Sequence, residues 1–268
     1  MTQPIHVGIG GWDYDPWRGT FYPAGLAKTK QLHFAARQVS AIEVNATYYK
    51  LQRPELYERW AADVPDGFVF TIKGSRFCTN RKVLGDGGEA IERFCSQGFT
   101  RLGPKLGPIL WQLADTKKFD AEDMARFLDL LPRERDGIVL RHAVEARNES
   151  FADPRFVALA RDAGVAICLD DSAAYPMIAD PTADFAYARL MSASEEEPAG
   201  YPPETLDSWA ARARAWSEGT PDDLPRLAPE PPPRPRQVFL FMINGAKVRA
   251  PAAAQALLAR LAAAGAAA

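Results

Sequence analysis

AIEVNATYY, residues 41–49, is the stretch from which the fold of this chain can be predicted. It reads as a short strand that runs directly into a polar and aromatic loop. Side chains alternate between the two faces of a strand, so Ile42 and Val44 point one way while Glu43 and Asn45 point the other. A surface strand would place the two polar residues in water. The same arrangement recurs along the chain, however, and repeated strands with polar residues near their C-terminal ends are typical of an active-site ring.

Seven further segments read as strands, and most of them are followed by a helical pattern. The eight predicted strands span residues 5–10, 41–45, 68–73, 108–113, 138–147, 165–170, 185–190 and 238–243. Helical patterns cover residues 28–38, 89–102, 121–131, 154–163 and 204–217, and two more helices begin at Pro54 and Pro251. Strands joined by helical crossovers predict an α/β fold, a parallel (β/α)8 TIM barrel.

A doubly wound open sheet is the alternative fold. It would normally carry a glycine-rich phosphate turn after the first strand, and Gly8, Gly10 and Gly11 do not form a convincing GxGxxG. We therefore predict a single barrel domain over residues 1–268. A proline-rich linker at about 221–236, extended and exposed, precedes the last strand. The link between the sixth and seventh strands is short and broken by prolines, and the terminal alanines of the last helix are expected to fray.

The composition bounds the classes of function. The chain has 268 residues, of which 47% are hydrophobic and 25% charged, so there is ample material for a core. The net charge of −2 supplies no global basic field that would draw the chain to nucleic acid or anionic lipid. Three cysteines without CxxC or metal spacing favour reduced thiols, and the first strand begins almost at once, without a signal segment. No apolar run could span a bilayer, so we predict a cytoplasmic protein without a membrane partner.

The polar residues that close the predicted strands form a candidate site, because the active sites of such barrels lie at the C-terminal ends of the strands. Charged side chains that point into one mouth are costly unless they are paired or used. The alternative is a structural network of ion pairs that merely plugs the top of the barrel. The ring consists of Glu43, Asn45, Lys73, Gln112, Glu145, Arg147, Asp170, Arg189 and Asn244.

Different roles suit different members of this ring. Arg147 and Arg189 could bind a carboxylate or phosphate in forked geometry. Glu43 or Glu145 could act as a general base. Lys73 could stabilise an oxyanion or, if desolvated, form a Schiff base. The predicted catalytic residues are Glu43, Lys73, Glu145 and Asp170, and the predicted substrate-binding residues are Trp12, Asn45, Tyr48, Gln112, Arg147, Arg189 and Asn244.

Aromatic residues cluster near the tops of the first two predicted strands. These side chains could stack on a sugar or a base, or they could simply pack the loops. The cluster comprises Trp12, Tyr14, Trp17, Tyr48 and Tyr49.

A metal site has little support in the pattern. His6, His33 and His142 belong to no HxH or HExxH motif and read as structural residues. We predict no cofactor, although an all-oxygen site made by the three acids of the ring could hold Mg²⁺ or Mn²⁺. The pattern specifies no oligomeric state.

Taken together, these motifs resemble those of the YecE-like proteins, domain-of-unknown-function family 72, over nearly the whole chain. The stretches that carry the resemblance are GIGGW at 8–12, EVNATYY at 43–49, FTIK at 70–73, LGPILWQL at 106–113, EARNESF at 145–151 and YARL at 187–190. The resemblance implies a TIM barrel but supplies no established reaction. The family has been linked loosely to sugar isomerases, and its barrel has been compared with endonuclease IV-like nucleases.

The chain departs from the family pattern at three places. Asn80 and Met191 stand where the family usually has histidine, and Ile243-Asn244 stands where it often has paired asparagines. These departures weaken the nuclease analogy, because endonuclease IV-like sites hold metals with many histidines. The charged ring itself survives.

Our leading hypothesis is an enzyme, isomerase-like or hydrolase-like, that acts on a small polar or anionic ligand such as a sugar or sugar phosphate. The alternative is a nucleic-acid or phosphate-binding protein that uses the mouth arginines, the aromatic cluster and the basic loop residues at 73–76 and 81–82. A scaffold that binds a partner through its proline-rich segment is a third hypothesis.

Overall fold

Eight parallel strands close into a barrel in the computed structural model, which describes residues 2–265. The strands follow one another around the barrel in chain order, and β1 pairs with both β2 and β8. They are β1 Ile5–Gly10, β2 Ala41–Val44, β3 Val69–Lys73, β4 Leu106–Gln112, β5 His142–Glu145, β6 Ala166–Asp170, β7 Phe185–Leu190 and β8 Gln237–Met242. The prediction of a parallel (β/α)8 barrel is confirmed.

Helices surround the barrel, and most of them lie where the 3.6-residue pattern predicts. They are α1 Gln31–Ala35, α2 Ala46–Tyr49, α3 Pro54–Asp63, α4 Arg76–Thr79, α5 Gly88–Cys95, α6 Ala121–Asp129, α7 Pro154–Ala163, α8 Pro203–Glu218 and α9 Ala250–Gly265. None of the helices within residues 2–265 combines the length and the apolar character needed to cross a bilayer. The terminal alanines predicted to fray lie outside the described residues.

Two predicted elements are shorter than the sequence pattern suggests. The helix predicted over residues 89–102 ends at Cys95, because Gly98 adopts a left-handed conformation with φ of 87° and a 3₁₀ segment follows. The helix predicted over residues 28–38 is a 3₁₀ turn, Lys28–Lys30, followed by the single α-helical turn of α1.

The fifth predicted strand was wrong in its first half. Ile138–Val139 pairs with Glu134–Arg135 in a short antiparallel hairpin outside the barrel. Asp136 and Gly137 form its turn, both at positive φ. The apolar pair therefore has strand structure but belongs to another sheet, and β5 begins only at His142.

Alternation along the strands separates two apolar layers. Val7, Ile42 and Phe70 face outward and pack between the barrel and its helices. The barrel interior is a second cluster that includes Ala41, Leu110, Cys168, Phe239 and Phe241. Because the interior-facing positions at the C-terminal ends of β2, β3, β5, β6 and β7 are charged, the apolar filling stops below the mouth and a charged layer lies above it.

Residues 171–184, between β6 and β7, contain no helix, in keeping with the prolines that interrupt this link. The proline-rich segment has no regular structure, but it is anchored on the barrel rather than free. The buried carboxylate of Asp180 accepts hydrogen bonds from the backbone N–H groups of Leu227 and Ala228, both at 2.9 Å. Arg226 pairs with Asp222 at 2.6 Å and so closes the segment on itself.

Candidate functional site

The ends of β2, β5 and β7 bring two glutamates and an arginine into one buried cluster at the barrel mouth. Arg189 donates from Nε and Nη2 to the two carboxylate oxygens of Glu43, both at 3.1 Å, and from Nη1 to Glu145 at 2.7 Å. Arg147, two residues beyond the end of β5, donates from Nε to the other oxygen of Glu145 at 2.6 Å. Glu43 and Glu145 have no exposed surface, and Arg189 is 1% exposed. This arrangement, Glu43–Arg189–Glu145–Arg147, is called the mouth network below.

A second layer supports the mouth network from inside the barrel. The hydroxyl of Tyr187 donates to Glu43 at 2.8 Å and lies 3.0 Å from the hydroxyl of Thr71. Both residues are fully buried. Neither was among the predicted site residues, although each lies two positions before a ring residue on the same strand, and the two-residue period would have placed them on the same face.

The charges of the mouth network are stabilised by one another. Burial alone would raise the pKa of Glu145, but the guanidinium groups of Arg189 and Arg147 outweigh burial and lower it. Burial disfavours the charge of Arg189, whereas Glu145 and Glu43 raise its pKa well above the usual value. Both groups are therefore ionised at neutral pH, as buried ion pairs must be to offset their desolvation.

Lys73 lies at the same mouth but outside this network. No carboxylate oxygen among the described residues comes within 4.0 Å of its ammonium group. The ammonium instead lies 4.7 Å from the ring centroid of Tyr48, on α2. Burial, followed by the positive charge of Arg189, lowers the pKa of Lys73 to about 8. The lysine is thus a cation without an ionic partner, and its charge is easily lost.

Asp170, at the end of β6, is the opposite case. It is 1% exposed, and neither of its carboxyl oxygens has a hydrogen-bond partner in the described structure. Burial, followed by the negative charge of Glu145, raises the pKa of Asp170 to about 9. The carboxyl group is therefore protonated at neutral pH. Buried polar groups without partners are rare, and one at a barrel mouth is a candidate for direct contact with a ligand.

The neighbouring Asp171 has an ordinary structural role. Its carboxylate accepts hydrogen bonds from the backbone N–H groups of Met191 and Ser192 and, at 3.0 Å, from the hydroxyl of Tyr201. It therefore fixes the loop that follows β7. Asp171 thus differs from the adjacent Asp170, whose carboxyl oxygens have no hydrogen-bond partner in the described structure.

The remaining predicted binding residues differ in what they contact. Gln112 is neighbour to Glu145 in the β4–β5 register, and Tyr48 contacts Lys73. Asn45 makes a long 3.4 Å hydrogen bond to the backbone of Glu43. Asn244 is exposed just beyond β8. The functional roles of the ring residues stay predictions.

The structure does not bring the whole aromatic cluster to the mouth. Trp12 turns outward and packs edge-on against Trp60 of α3, with ring centroids 5.1 Å apart. Trp17 is fully buried and donates from its indole N–H to the backbone of Lys247 at 3.0 Å. Loop packing accounts for both tryptophans. Tyr175, which the sequence pattern did not single out, lies over Arg147 with 4.6 Å from the guanidinium carbon to the ring centroid.

The histidines have structural partners. His142 accepts from the indole N–H of Trp111 at 3.0 Å, and burial lowers its pKa to about 4. His6 stacks on Phe239 inside the barrel, and His33 pairs with Asp63. Within residues 2–265, no three His, Cys, Asp or Glu side chains are grouped as a metal site would require. A role for Mg²⁺ or Mn²⁺ stays an untested prediction.

A family model and two bacterial relatives match this chain. A family model described as "Protein of unknown function DUF72" matches residues 6–268. The UPF0759 protein YecE of Escherichia coli K12 is 27% identical over 142 residues, which are 52% of this chain and 48% of YecE. The UPF0759 protein YunF of Bacillus subtilis is 28% identical over 158 residues, which are 57% of this chain and 54% of YunF. The chain thus spans about half the length of these relatives.

Solved structures give the same fold. A DUF72 family protein from Thermotoga maritima superposes with a TM-score of 0.72 and 22% sequence identity, over 96% of this chain and 97% of that one. At this identity the likeness shows the fold alone.

Proposed function

The chain belongs to the DUF72 family of proteins of unknown function, and from this premise we propose that its barrel mouth binds a small anionic ligand and transfers a proton to it. The observation that carries the proposal is the pair of Lys73 and Asp170. Among residues 2–265, the first has no ionic partner and the carboxyl group of the second has no hydrogen bond. Both lie beside the same fully paired network.

The charge of the mouth supports an anionic ligand. Glu43 and Glu145 are each bound to Arg189, and Arg147 completes the pairing of Glu145. Because Asp170 is neutral at pH 7, the ammonium of Lys73 is in excess of the pairs. A phosphate or carboxylate that reached Lys73 would neutralise this charge at a position only 7% exposed, where electrostatic attraction is stronger than in water. Sugar phosphates and small sugar acids are the ligands that combine such a group with hydroxyls.

The proton chemistry falls to Asp170 rather than to the glutamates. Two guanidinium groups hold the pKa of Glu145 below its usual range, which makes it a poor general base. Asp170 holds its proton up to about pH 9 and can give it to a ligand oxygen as a general acid. Lys73 would stabilise negative charge that develops on the ligand. In this proposal Arg189 is a positioning residue, because its guanidinium contacts the two glutamates and not the open mouth. Isomerase-like and hydrolase-like reactions both use these elements.

A thermal-shift screen tests the binding step. The panel holds sugars, sugar phosphates and small carboxylates, each with and without Mg²⁺ or Mn²⁺. A ligand at 100 times its Kd stabilises the folded state by about 2.7 kcal/mol. We expect a small anion to raise the Tm of the wild type and of Lys30→Met, an exposed control, but not of Lys73→Met. A shift of equal size in Lys73→Met, or no shift with any small anion, would contradict the proposal.

A further inference from the structure

A second concave surface lies beside the mouth. It is a groove of about 610 Å³ between the end of α2, the turn that follows β3, and α5. Ser75, two residues beyond Lys73, borders it, so the groove and the mouth share one rim of the barrel. We call it the basic groove; the side chains that matter below are Tyr49, Lys50, Phe77, Arg81, Glu89 and Arg93.

Two aromatic rings of the basic groove are exposed to an unusual degree. Tyr49 is 63% exposed and Phe77 64%, and they are two of the four large hydrophobic side chains that stand exposed in the described structure. The guanidinium carbon of Arg76 lies 5.4 Å from the ring centroid of Phe77. Exposed rings beside cations offer flat faces on which another ring can stack.

The cations of the basic groove have no acidic partners. No carboxylate oxygen of the described residues lies within 4.0 Å of the side-chain nitrogens of Lys50 and Arg93, which line the groove, or of Arg76 beside it. Arg81 donates only to backbone carbonyls, those of Phe77 at 2.6 Å and Asp86 at 3.3 Å, so its charge is not neutralised. Glu89 is the acid that lines the groove. The surface is therefore locally basic in a chain whose net charge is −2.

We propose that the basic groove binds single-stranded nucleic acid, with bases stacked on Phe77 and Tyr49 and phosphates on Arg81, Arg93 and Lys50. Exposed rings and a line of cations are the two features that such sites combine. A single strand fits better than a duplex, because only unstacked bases can lie on the rings. Binding should tolerate different sequences, since stacking and phosphate contacts read no base edge. The inference does not depend on the chemistry of the mouth.

Fluorescence anisotropy with a labelled oligothymidylate of about ten nucleotides tests the proposal, because known single-strand sites cover roughly 4–16 nucleotides. We expect the wild type to bind at low salt and Phe77→Ser to bind about fivefold more weakly or worse. Arg81→Gln and Arg93→Gln should each weaken binding and lower the slope of log affinity against log salt by about 0.7. These side chains are at the surface, so thermal unfolding should show that the variants fold normally.

Two controls separate this groove from other sites. Arg234→Gln changes an exposed arginine at the opposite end of the barrel and should leave affinity unchanged, and so should Lys73→Met at the mouth. The proposal is overturned if Phe77→Ser binds like the wild type, or if Lys73→Met loses binding while the groove variants keep it. It is also overturned if a duplex of the same length binds as tightly, or if polyglutamate displaces the oligonucleotide equally well.

Discussion

Lys73 and Asp170 differ from the other charged groups of the mouth in their surroundings. Glu43, Glu145 and Arg189 satisfy one another through hydrogen bonds of 2.7 to 3.1 Å. Lys73 has an aromatic ring for a neighbour, and the carboxyl oxygens of Asp170 have no hydrogen-bond partner in the part of the chain that the structure describes. Burial without partners weakens the charged form of each group, so the pKa of Lys73 falls to about 8 and the pKa of Asp170 rises to about 9. Groups of this kind can exchange protons near neutral pH.

The titration of Lys73 predicts how the affinity for an anion depends on pH. The ammonium is present below its pKa of about 8 and is lost as pH rises through that value. Affinity for a small carboxylate, whose own charge is constant in this range, should therefore fall above pH 8 in the wild type. Lys73→Arg keeps its charge to much higher pH, so the fall should disappear in that variant. Titrations of both proteins between pH 6 and 8.5, below the pKa of about 9 of Asp170, check this, and identical profiles would contradict it.

The titration of Asp170 predicts how the stability of the folded state depends on pH. The folded state holds the Asp170 proton up to about pH 9, whereas an unperturbed aspartate releases it near 3.8. Between these values the folded state binds the extra proton, so stability falls as pH rises, by at most about 1.4 kcal/mol per pH unit. Asp170→Asn lacks this titration. Urea unfolding at pH 5 and pH 8 should show a larger loss in the wild type than in Asp170→Asn, and parallel losses would rule out a buried, protonated carboxyl group.

At the scale of the element, close contact between β1 and β2 depends on glycine. A Cβ atom on Gly8 would lie 2.0 Å from the backbone oxygen of Ala41. Real Cβ atoms never approach so closely, so one strand would have to move and the barrel register with it. Glycine in β1 therefore permits close packing against β2, the strand that carries Glu43 of the mouth network.

Gly8→Ala should lower the free energy of unfolding by about 3 kcal/mol, at the upper end of the usual cost of overpacking. Gly88→Ala is the matched control. A Cβ there would come no closer than 3.4 Å to Leu130, and alanine suits the first turn of α5. Denaturant unfolding of the two variants checks the contrast. Equal stability would mean that the contact between the strands is looser than the structure has it.

Individual strands and residues show which features of the structure the sequence pattern could predict. Alternating side chains predicted β1 and β7 to the residue, and they placed Glu43, Lys73, Glu145, Asp170 and Arg189 at one end of the barrel. A pattern specifies a face but not a partner. It could not say that Arg189 would bind both glutamates while Asp170 stayed unpaired, because those contacts join strands far apart in the chain. For the same reason the pattern could not say that Trp12 would pack against Trp60 of α3.

At the scale of the whole molecule, the mouth network ties together distant parts of the barrel. Arg189 of β7 reaches Glu43 of β2 and Glu145 of β5, and no two of these three strands are adjacent in the barrel. Such a network need not add net stability, because desolvation of the charges offsets much of their attraction. Its effect is to fix where the ends of the strands lie, and with them Lys73 and Asp170.

Arg189→Met should cost about 3–5 kcal/mol of stability, because it leaves two carboxylates buried without a cation. Replacing the acids as well, in Glu43→Gln/Glu145→Gln/Arg189→Met, should recover much of that loss, since the two carboxylates that Arg189 neutralises are then uncharged. Chemical denaturation of both variants measures the difference. If the triple variant were the less stable of the two, the cost would come from lost packing and not from unpaired charge.

Calorimetric titration of a sugar phosphate that raises the Tm tests the central claim, an anion site built on Lys73, most directly. It should be done with the wild type and with Lys73→Met, at pH 7 and at pH 9.5. The account predicts saturable heat for the wild type at pH 7, with affinity strongly reduced at pH 9.5 and binding absent in Lys73→Met at both values. Equal affinity in the two proteins at pH 7 would contradict it.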